Sequence, residues 1–560
     1  MNDILLAHEV LETYFRRSGV RRRPGLNPNC ALDPIDSALV GQARVVLLAK
    51  AVESAPFLLA WAAPAMAVLC GTSRPRLRQA PKLPWPHVQV GAKARELCEE
   101  IATSKVLERA TSRCGTPCGL FFVEKQYSFP KNGVFGPNVP ALRIIFDARP
   151  ANTLLERLGS PFRLFGLDTL LALWSAIGGT LSVVDSRHHF YQIPLPSLYR
   201  KYFTVQAERR YQAAVVPMGW HDAPVLGETV SWVVVLHREK GESSLGAPEA
   251  ISQMPEYVPL RNQGGVLIGA LFVLIDGMAI MTADAELRTA WVRRILRNAM
   301  TFHVIIKNIV ENIFAGVEFD SNGRRWRCAE AWNSEVTLST PREVAVTLGR
   351  ILWRLRVKQL PLLDQEELLR AYAWAGRENH LQREYDSEKP CPHADVIRRC
   401  CRLVADTDWS VAARPPPPTG RRIFLATDAW PHGVGYVEFD GAGKVTDIWD
   451  RQETERGIQS EMEMVAIGDA IVAKASAGDE VFLATDADCC RQAIDRGYSG
   501  SAVFRRELRR IRSVGCKVHA CRVEGLKNVA DAPSRGSRIV EETRRAQTWA
   551  ALEALVQTAL

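Results

Sequence analysis

Ile423-Phe-Leu-Ala-Thr-Asp428-Ala-Trp430 and its near-copy Val481-Phe-Leu-Ala-Thr-Asp486-Ala487 decide the fold of the chain's C-terminal part. Each is a short apolar run that ends on an aspartate, the pattern of a strand with an acid at its end. Between them, Glu461-Met-Glu463-Met-Val-Ala-Ile-Gly-Asp-Ala-Ile-Val-Ala-Lys-Ala475 carries helical periodicity, with Met462, Val465 and Ala466 on the inward side and Glu463 beside them. Further on comes Lys527-Asn-Val-Ala-Asp531-Ala-Pro-Ser-Arg535. With two more strand-like runs (GVGYVEFD and VTDIWD), these segments predict a compact mixed-sheet α/β domain over residues 422–540, followed by a C-terminal helix over 541–560.

A single aspartate at a strand end is ordinarily a turn or capping residue. Four acids delivered from two strand ends and two helices can converge on one point, and close carboxylates repel one another unless cations sit among them. Such a nest suits two magnesium or manganese ions about 3.5–4 Å apart, one activating water and the other stabilising the leaving oxygen of a phosphodiester.

Outward from this domain, Arg414-Pro-Pro-Pro-Pro-Thr-Gly420 predicts a stiff extended linker over 413–421, because consecutive prolines continue neither a helix nor a central strand. Residues 321–412 read as mostly helical, and 91–320 as strands alternating with amphipathic helices. Residues 1–90 read as a helical extension of unassigned role with a basic cluster at Arg21–Arg23. The apolar stretch 45–70 is broken by Lys50, Glu53, Pro56 and Pro64, so it predicts a pair of buried helices rather than a membrane span.

The 560 residues are 47% apolar and 24% charged, an ordinary globular composition with length enough for several cores. The net charge of +9 favours a polyanionic partner without naming one. Thirteen scattered cysteines suit reduced thiols, and no secretory pattern opens the chain, so a cytoplasmic or nuclear location is expected, without a membrane. Cys114 with Cys118, and Cys391 with His393, have loose metal-like spacing but no second pair at zinc distance.

In order and spacing, TDAWPHGVGYV, EMVAI, ATDA and NVADAPSR resemble the D-E-D-D series of the retroelement ribonuclease H family. The resemblance implies Asp428, Glu463, Asp486 and Asp531 as catalytic metal ligands, with Glu461 the other candidate for the second place. The basic helix at 503–512 would face the backbone of an RNA–DNA hybrid, or be a solvated charged face. Upstream, Ser-Val-Val-Asp185-Ser-Arg-His-His-Phe190-Tyr-Gln192 resembles the palm motif of reverse transcriptases, in which the aspartate binds both metals. Phe190, lying under the incoming sugar, would exclude a 2′-hydroxyl. Val-Pro217-Met-Gly219-Trp resembles the element that packs on nucleotide and template. Phe-Phe-Val-Glu-Lys125 and Arg143-Ile-Ile-Phe-Asp-Ala-Arg149 resemble the fingers hairpin, whose cations neutralise the triphosphate; Lys307 and Phe314-Ala-Gly316 resemble the approach to the thumb.

Phe-Val-Leu274-Ile-Asp276-Gly277 stands where the family writes Tyr-x-Asp-Asp. Asp185 and Asp276 supply the bridging pair and Gly277 replaces the third acid, so polymerisation should be weakened or absent unless a neighbouring acid or water substitutes. The resemblance implies a right-hand fingers–palm–thumb polymerase followed by a ribonuclease H-like domain, with RNA template, DNA primer, RNA–DNA hybrid and deoxynucleotides as partners. Without a protease signature before or an integrase pattern after, it is closest in appearance to DIRS-type, VIPER-like retrotransposons. The other function class is a decayed or co-opted copy that binds hybrids without polymerising; a plain α/β hydrolase or a structural protein with accidental matches is the third. The first two require Asp428, Glu463, Asp486 and Asp531 to meet, and Asp185 to meet Asp276.

Overall fold

A computed structural model describes residues 21–23, 31–32, 35, 37–79, 87–89, 92–110, 115–130, 138–159, 164–206, 209–321, 324–330, 332, 335–360, 366–381, 388, 390–405, 408–411, 421–452, 458–497, 499 and 501–559. The proline run at 415–418 and Cys114 lie outside these residues, as does the side chain of Lys125. The chain is mixed α/β and divides into two compact units, Met1–Ala329 and Glu330–Leu560.

In the first unit, the apolar stretch forms helices α1 (Val45–Ser54) and α2 (Ala63–Leu69), with a short helical turn begun by Pro56 between them. The path turns by 111° after Ser54, and Leu48, Val52, Leu59, Met66 and Leu69 are buried in the unit's core. Among the described residues no single helix is long and apolar enough to cross a membrane. Strands β1 (Pro117–Pro130) and β2 (Asn138–Asp147) pair antiparallel within a six-stranded sheet.

A five-stranded antiparallel sheet carries the acids of this unit. It is built from β3 (Thr180–Ser186), β4 (Val258–Arg261), β5 (Leu267–Leu274), β6 (Gly277–Thr282) and β7 (Ile306–Glu311), in the order β4-β5-β6-β3-β7. Helices α3 (Ala223–Leu236) and α4 (Ala285–Phe302) pack on it, as does the helix Leu167–Ile177. Helix α3 is buried on nearly every side, which its Val-rich sequence allows and which encloses Glu228, Thr229 and Ser231 with it.

The second unit begins with helices α5 (Pro341–Val357), α6 (Glu366–Leu381) and α7 (Ala394–Ala405), which share a core of Leu348, Ile351, Leu355, Leu368, Ile397 and Cys401. Thr340 and Glu343 close a reciprocal capping box at the start of α5. Next comes a five-stranded sheet made of β8 (Arg422–Trp430), β9 (Gly433–Phe439), β10 (Val445–Gln452), β11 (Glu480–Thr485) and β12 (Lys517–Arg522). Its order is β10-β9-β8-β11-β12. The first three strands pair antiparallel, while β11 lies parallel to both β8 and β12.

The continuous apolar runs are explained by burial on both faces. Ile423, Leu425, Val481 and Leu483 face one core with Met464, Ile467 and Ile471 of helix α8 (Gln459–Lys474). Phe424, Ala426, Phe482 and Ala484 face the other, with Leu552 of the C-terminal helix Glu542–Ala559. Leu425 is fully buried at the middle of the sheet. Leu425→Ala should therefore cost about 2–5 kcal/mol of stability in chemical denaturation of the full chain. A cost below about 1 kcal/mol would show that this layer collapses around the missing side chain.

Candidate active sites

Central strands β8 and β11 run parallel and adjacent, so their C-terminal ends deliver Asp428 and Asp486 to the same edge of the sheet. Helix α8 packs across β8 and brings Glu463 in from above. One carboxylate oxygen from each of Asp428, Glu463 and Asp486 lies within 4.8 Å of the others. Asp428 and Glu463 are 4% and 3% exposed, so water does little to separate their charges. Glu461, the alternative on the same helix, instead accepts a 2.8 Å hydrogen bond from the Ser501 hydroxyl.

The carboxylates are oriented by neighbours. Ser534 Oγ donates to Asp428 Oδ2 at 2.7 Å, and Gln459 Nε2 donates to Glu463 Oε1 at 2.9 Å. Gly435 opposes Asp428 across the strand pair, and a Cβ there would stand 2.6 Å from the Ser534 nitrogen. Its missing side chain thus lets the short helix Asp531–Ser534 sit directly on the sheet. Asp531 is not one of the close trio. Its oxygens accept from Arg535 Nε at 3.0 Å and Arg544 Nη1 at 2.9 Å. Its charge nevertheless reaches Asp428 and Asp486.

Burial, and then the mutual charge of Asp428 and Asp486, push Glu463 far above the usual carboxylate range. Burial likewise raises Asp428, with Asp486 and Asp531 adding to it against the Ser534 hydroxyl. Burial raises Asp486 too, with Asp531 adding. Asp531 goes the other way: burial opposes ionisation, but hydrogen bonds from Arg544 and Arg535 outweigh it and hold the group low. Glu463 Oε2 and Asp486 Oδ1 are buried without a hydrogen-bond partner. Clustered carboxylate oxygens, two of them without a donor, are what a hard divalent cation binds, so the donor set fits magnesium or manganese.

In the five-stranded sheet of the first unit, Asp185 stands near the end of β3, directly opposite Gly277 of β6. Asp276 is in the two-residue turn between β5 and β6, and its carbonyl accepts from the Ser186 amide at 2.9 Å. Burial raises the Asp185 carboxyl, Asp276 adds to this, and Lys307, with its Nζ 3.4 Å from Asp185 Oδ2, opposes it. Two acids brought to one edge in this way fit a cation, with the ammonium already meeting part of their charge. A Cβ on Gly277 would meet Phe314 at 3.4 Å and Val183 at 3.7 Å, ordinary contact distances, on the face that carries Asp185. A longer side chain therefore has room to start there.

Asp185 and Asp276 line a cavity of about 1160 Å³ together with Arg143, Phe190, Gly219 and Lys307. Gly219 has φ +122° and no room for a Cβ, which would fall on the Phe146 carbonyl oxygen; that close approach locks its loop onto β2. Other sequence-predicted residues do other work. Arg149 is bound two-fold to Asp147, at 2.7 and 2.5 Å. Gln192 is buried, donating to the carbonyls of Arg187 and Ile305 and accepting from the Ile305 amide at 2.6 Å. The Pro217 carbonyl accepts from the Trp220 amide at 3.1 Å and so closes its turn.

Sequence reading missed Ser534, Gln459, Arg544 and Arg535 as partners of the acids, and Glu228 and Ser231 beneath the Asp276 turn. Only Gln459, one helical turn before Glu463, and Ser534 and Arg535, in the same short segment as Asp531, carry a local spacing signal.

A carboxyl raised in the folded state is protonated there while the unfolded chain has already ionised, so its contribution is complete below the ordinary carboxylate pKa and disappears as pH rises through the folded value. Asp428, Glu463 and Asp486 all shift this way. With a chelator present, the chain's melting temperature should fall between about pH 5 and about pH 8, and magnesium should raise it more at pH 8 than at pH 6. Equal magnesium effects at the two pH values, measured by calorimetry, would count against cation binding by these acids.

No protein-family model and no curated protein matches the chain. Among solved structures, the chain is similar to a foamy viral protease-reverse transcriptase in complex with an RNA/DNA hybrid, at 13% identity and a TM-score of 0.40, covering 80% of this chain. It is also similar to the foamy viral protease-reverse transcriptase dRH in complex with double-stranded DNA, at 12% identity and a TM-score of 0.38, over 88% of this chain and 84% of that one. A third is the native Prototype Foamy Virus protease-reverse transcriptase, at 11% identity and a TM-score of 0.30, over 80% of this chain and 56% of that one. The chain spans 56% of the length of the first of these.

Proposed function

We propose that the chain is a reverse transcriptase and ribonuclease H of a retroelement, with a complete hybrid-cleaving centre and a weakened polymerase centre. The observation that carries the reading is the meeting of Asp428, Glu463 and Asp486 within 4.8 Å, with orphaned oxygens on two of them. These are three of the four acids that the D-E-D-D resemblance picks out, Asp531 lying outside the trio.

Magnesium or manganese, when bound, would supply the positive charge that activates a water and stabilises the leaving oxygen of the RNA strand. The chain's own residues do the holding. Asp428, Glu463 and Asp486 offer the ligand oxygens, while Ser534 and Gln459 fix two of the carboxylates. Asp531, kept ionised by Arg535 and Arg544, extends the acidic edge. Helix Ala502–Val514 exposes Arg506, Arg509 and Arg512, a stripe suited to the phosphates of a hybrid, although Arg506 also pairs with Glu507 at 2.7 Å.

In the first unit, Asp185 and Asp276 are the ligand pair, Arg143 and Lys307 the cations available to a triphosphate, and Phe190 the wall that would exclude a 2′-hydroxyl. Gly277 leaves this centre one carboxylate short of the family pattern. That deficit specifically favours a second reading, in which the chain holds an RNA–DNA hybrid without extending a primer.

One preparation tests both. The RNA strand of a hybrid should be cut in magnesium, and Asp428→Asn or Asp486→Asn should lower the rate by roughly a hundredfold or more. Persistent cutting by both variants would refute the assignment. Primer extension should be near background in the natural chain, and Gly277→Asp should raise it by about tenfold or more, because a misplaced or missing ligand costs on that order. Efficient extension by the natural chain would overturn the view of Gly277, whereas hybrid binding without cutting or extension would establish the second reading.

A further inference from the structure

The turn that presents Asp276 is held in an unfavourable conformation from behind. Ile275 has φ +56°, a left-handed backbone that a β-branched residue adopts only when its surroundings impose it. Both of its peptide groups are captured by one helix. Glu228 Oε2 accepts from the Ile275 amide at 2.6 Å, and Ser231 Oγ donates to the Ile275 carbonyl at 2.5 Å. The two side chains are three residues apart on α3 and so share a face. Both are 1% exposed. On the far side of the turn, the Ser186 amide holds the Asp276 carbonyl at 2.9 Å. The backbone is thereby fixed immediately before and at Asp276, leaving its side-chain torsions as the freedom that remains.

We infer that Glu228 is a positioning residue for Asp276, acting with Ser231 through the strained Ile275 peptide to aim the carboxylate at the edge where Asp185 stands. A buried acid on a helix rich in valine is costly, since burial opposes its ionised form. An apolar residue would pack there without that cost but could not accept the Ile275 amide. A glutamine could. Nothing in the local sequence announces the contact, because Glu228 and Ile275 are 47 residues apart.

The inference rests on Asp276 being a cation ligand, so the experiment separates the two claims. The full chain carries Asp428→Asn, Glu463→Gln and Asp486→Asn to silence the other centre. Manganese binding is then followed by electron paramagnetic resonance, and amide exchange by mass spectrometry over residues 270–280. Glu228→Leu should weaken manganese binding by about tenfold or more, the usual cost of losing a partner that orients a ligand. It should also speed exchange in that segment by about tenfold, since opening of the turn is no longer opposed. Glu228→Gln should keep both within about twofold, because an amide oxygen accepts the same bond. Ser231→Ala, a smaller change that decides the matter if Glu228→Leu does not fold, should weaken manganese binding by about threefold, roughly one neutral hydrogen bond. Unchanged manganese affinity in Glu228→Leu or in Ser231→Ala, or equal damage from glutamine and leucine, would overturn the positioning role. Asp276→Asn is the control for the underlying reading. If it leaves manganese binding intact, Asp276 is no ligand and both claims fall; if it abolishes binding while Glu228→Leu leaves the affinity unchanged, only the positioning role falls.

Discussion

Like charges crowded out of water govern the C-terminal domain. At a separation of 4.8 Å or less and an effective dielectric of about 20, two ionised carboxylates repel by roughly 3 kcal/mol or more. Three such pairs meet at the edge shared by β8, β11 and α8. Part of this strain shows as raised proton affinity of Asp428 and Glu463, and part is met by Ser534 and Gln459 donors directed at them. Two buried oxygens are left with no donor. The sheet that holds these acids together is apolar on both faces, so its hydrophobic burial works against a repulsion that a divalent cation would relieve.

The first unit meets the same constraint with less charge. Its sheet edge has two acids rather than three, one of them exposed, and Lys307 already beside Asp185. A Cβ on Gly277 would meet Phe314 and Val183 at ordinary contact distances, so the backbone there has room for a side chain. As at the C-terminal acids, burial is the larger cause of the raised Asp185, with Asp276 adding to it and Lys307 opposing it.

What the sequence disclosed follows from how local each signal was. Apolar runs such as those ending at Asp147, Asp185, Asp428 and Asp486 are strands, and the helical periodicity around Glu463 is a helix, because burial pattern and secondary structure share a period. Convergence is expected from acids at two strand ends and on two helices; the parallel pairing that brings Asp428 and Asp486 together is seen only in the fold, and Asp531 stays outside the close trio. The partners were not legible. Arg544 reaches Asp531 from 13 residues away, and Ser534 reaches Asp428 from 106. Gln192 and Arg149 sit inside recognisable motifs yet spend their polar atoms on the fold, since nothing in a linear pattern tells whether a nearby carboxylate such as Asp147 or a carbonyl such as that of Ile305 will claim them first.

The two centres therefore differ in how firmly geometry fixes their acids. Asp428 and Glu463 project from the interiors of a regular strand and a regular helix, and Asp486 follows directly on the last residue of another strand. Their placement follows from hydrogen-bond ladders shared with many residues. Asp276 projects from a two-residue turn whose conformation is unfavourable by itself and persists through two side chains of one buried helix. A ladder distributes a perturbation over many bonds, whereas a turn held at a few points passes it straight to the residue it presents. Substitutions in the interior of α3, far in sequence from any acid, should accordingly disturb Asp276 more than equally conservative changes in α8 disturb Glu463, because only the former bear on a backbone conformation that cannot sustain itself.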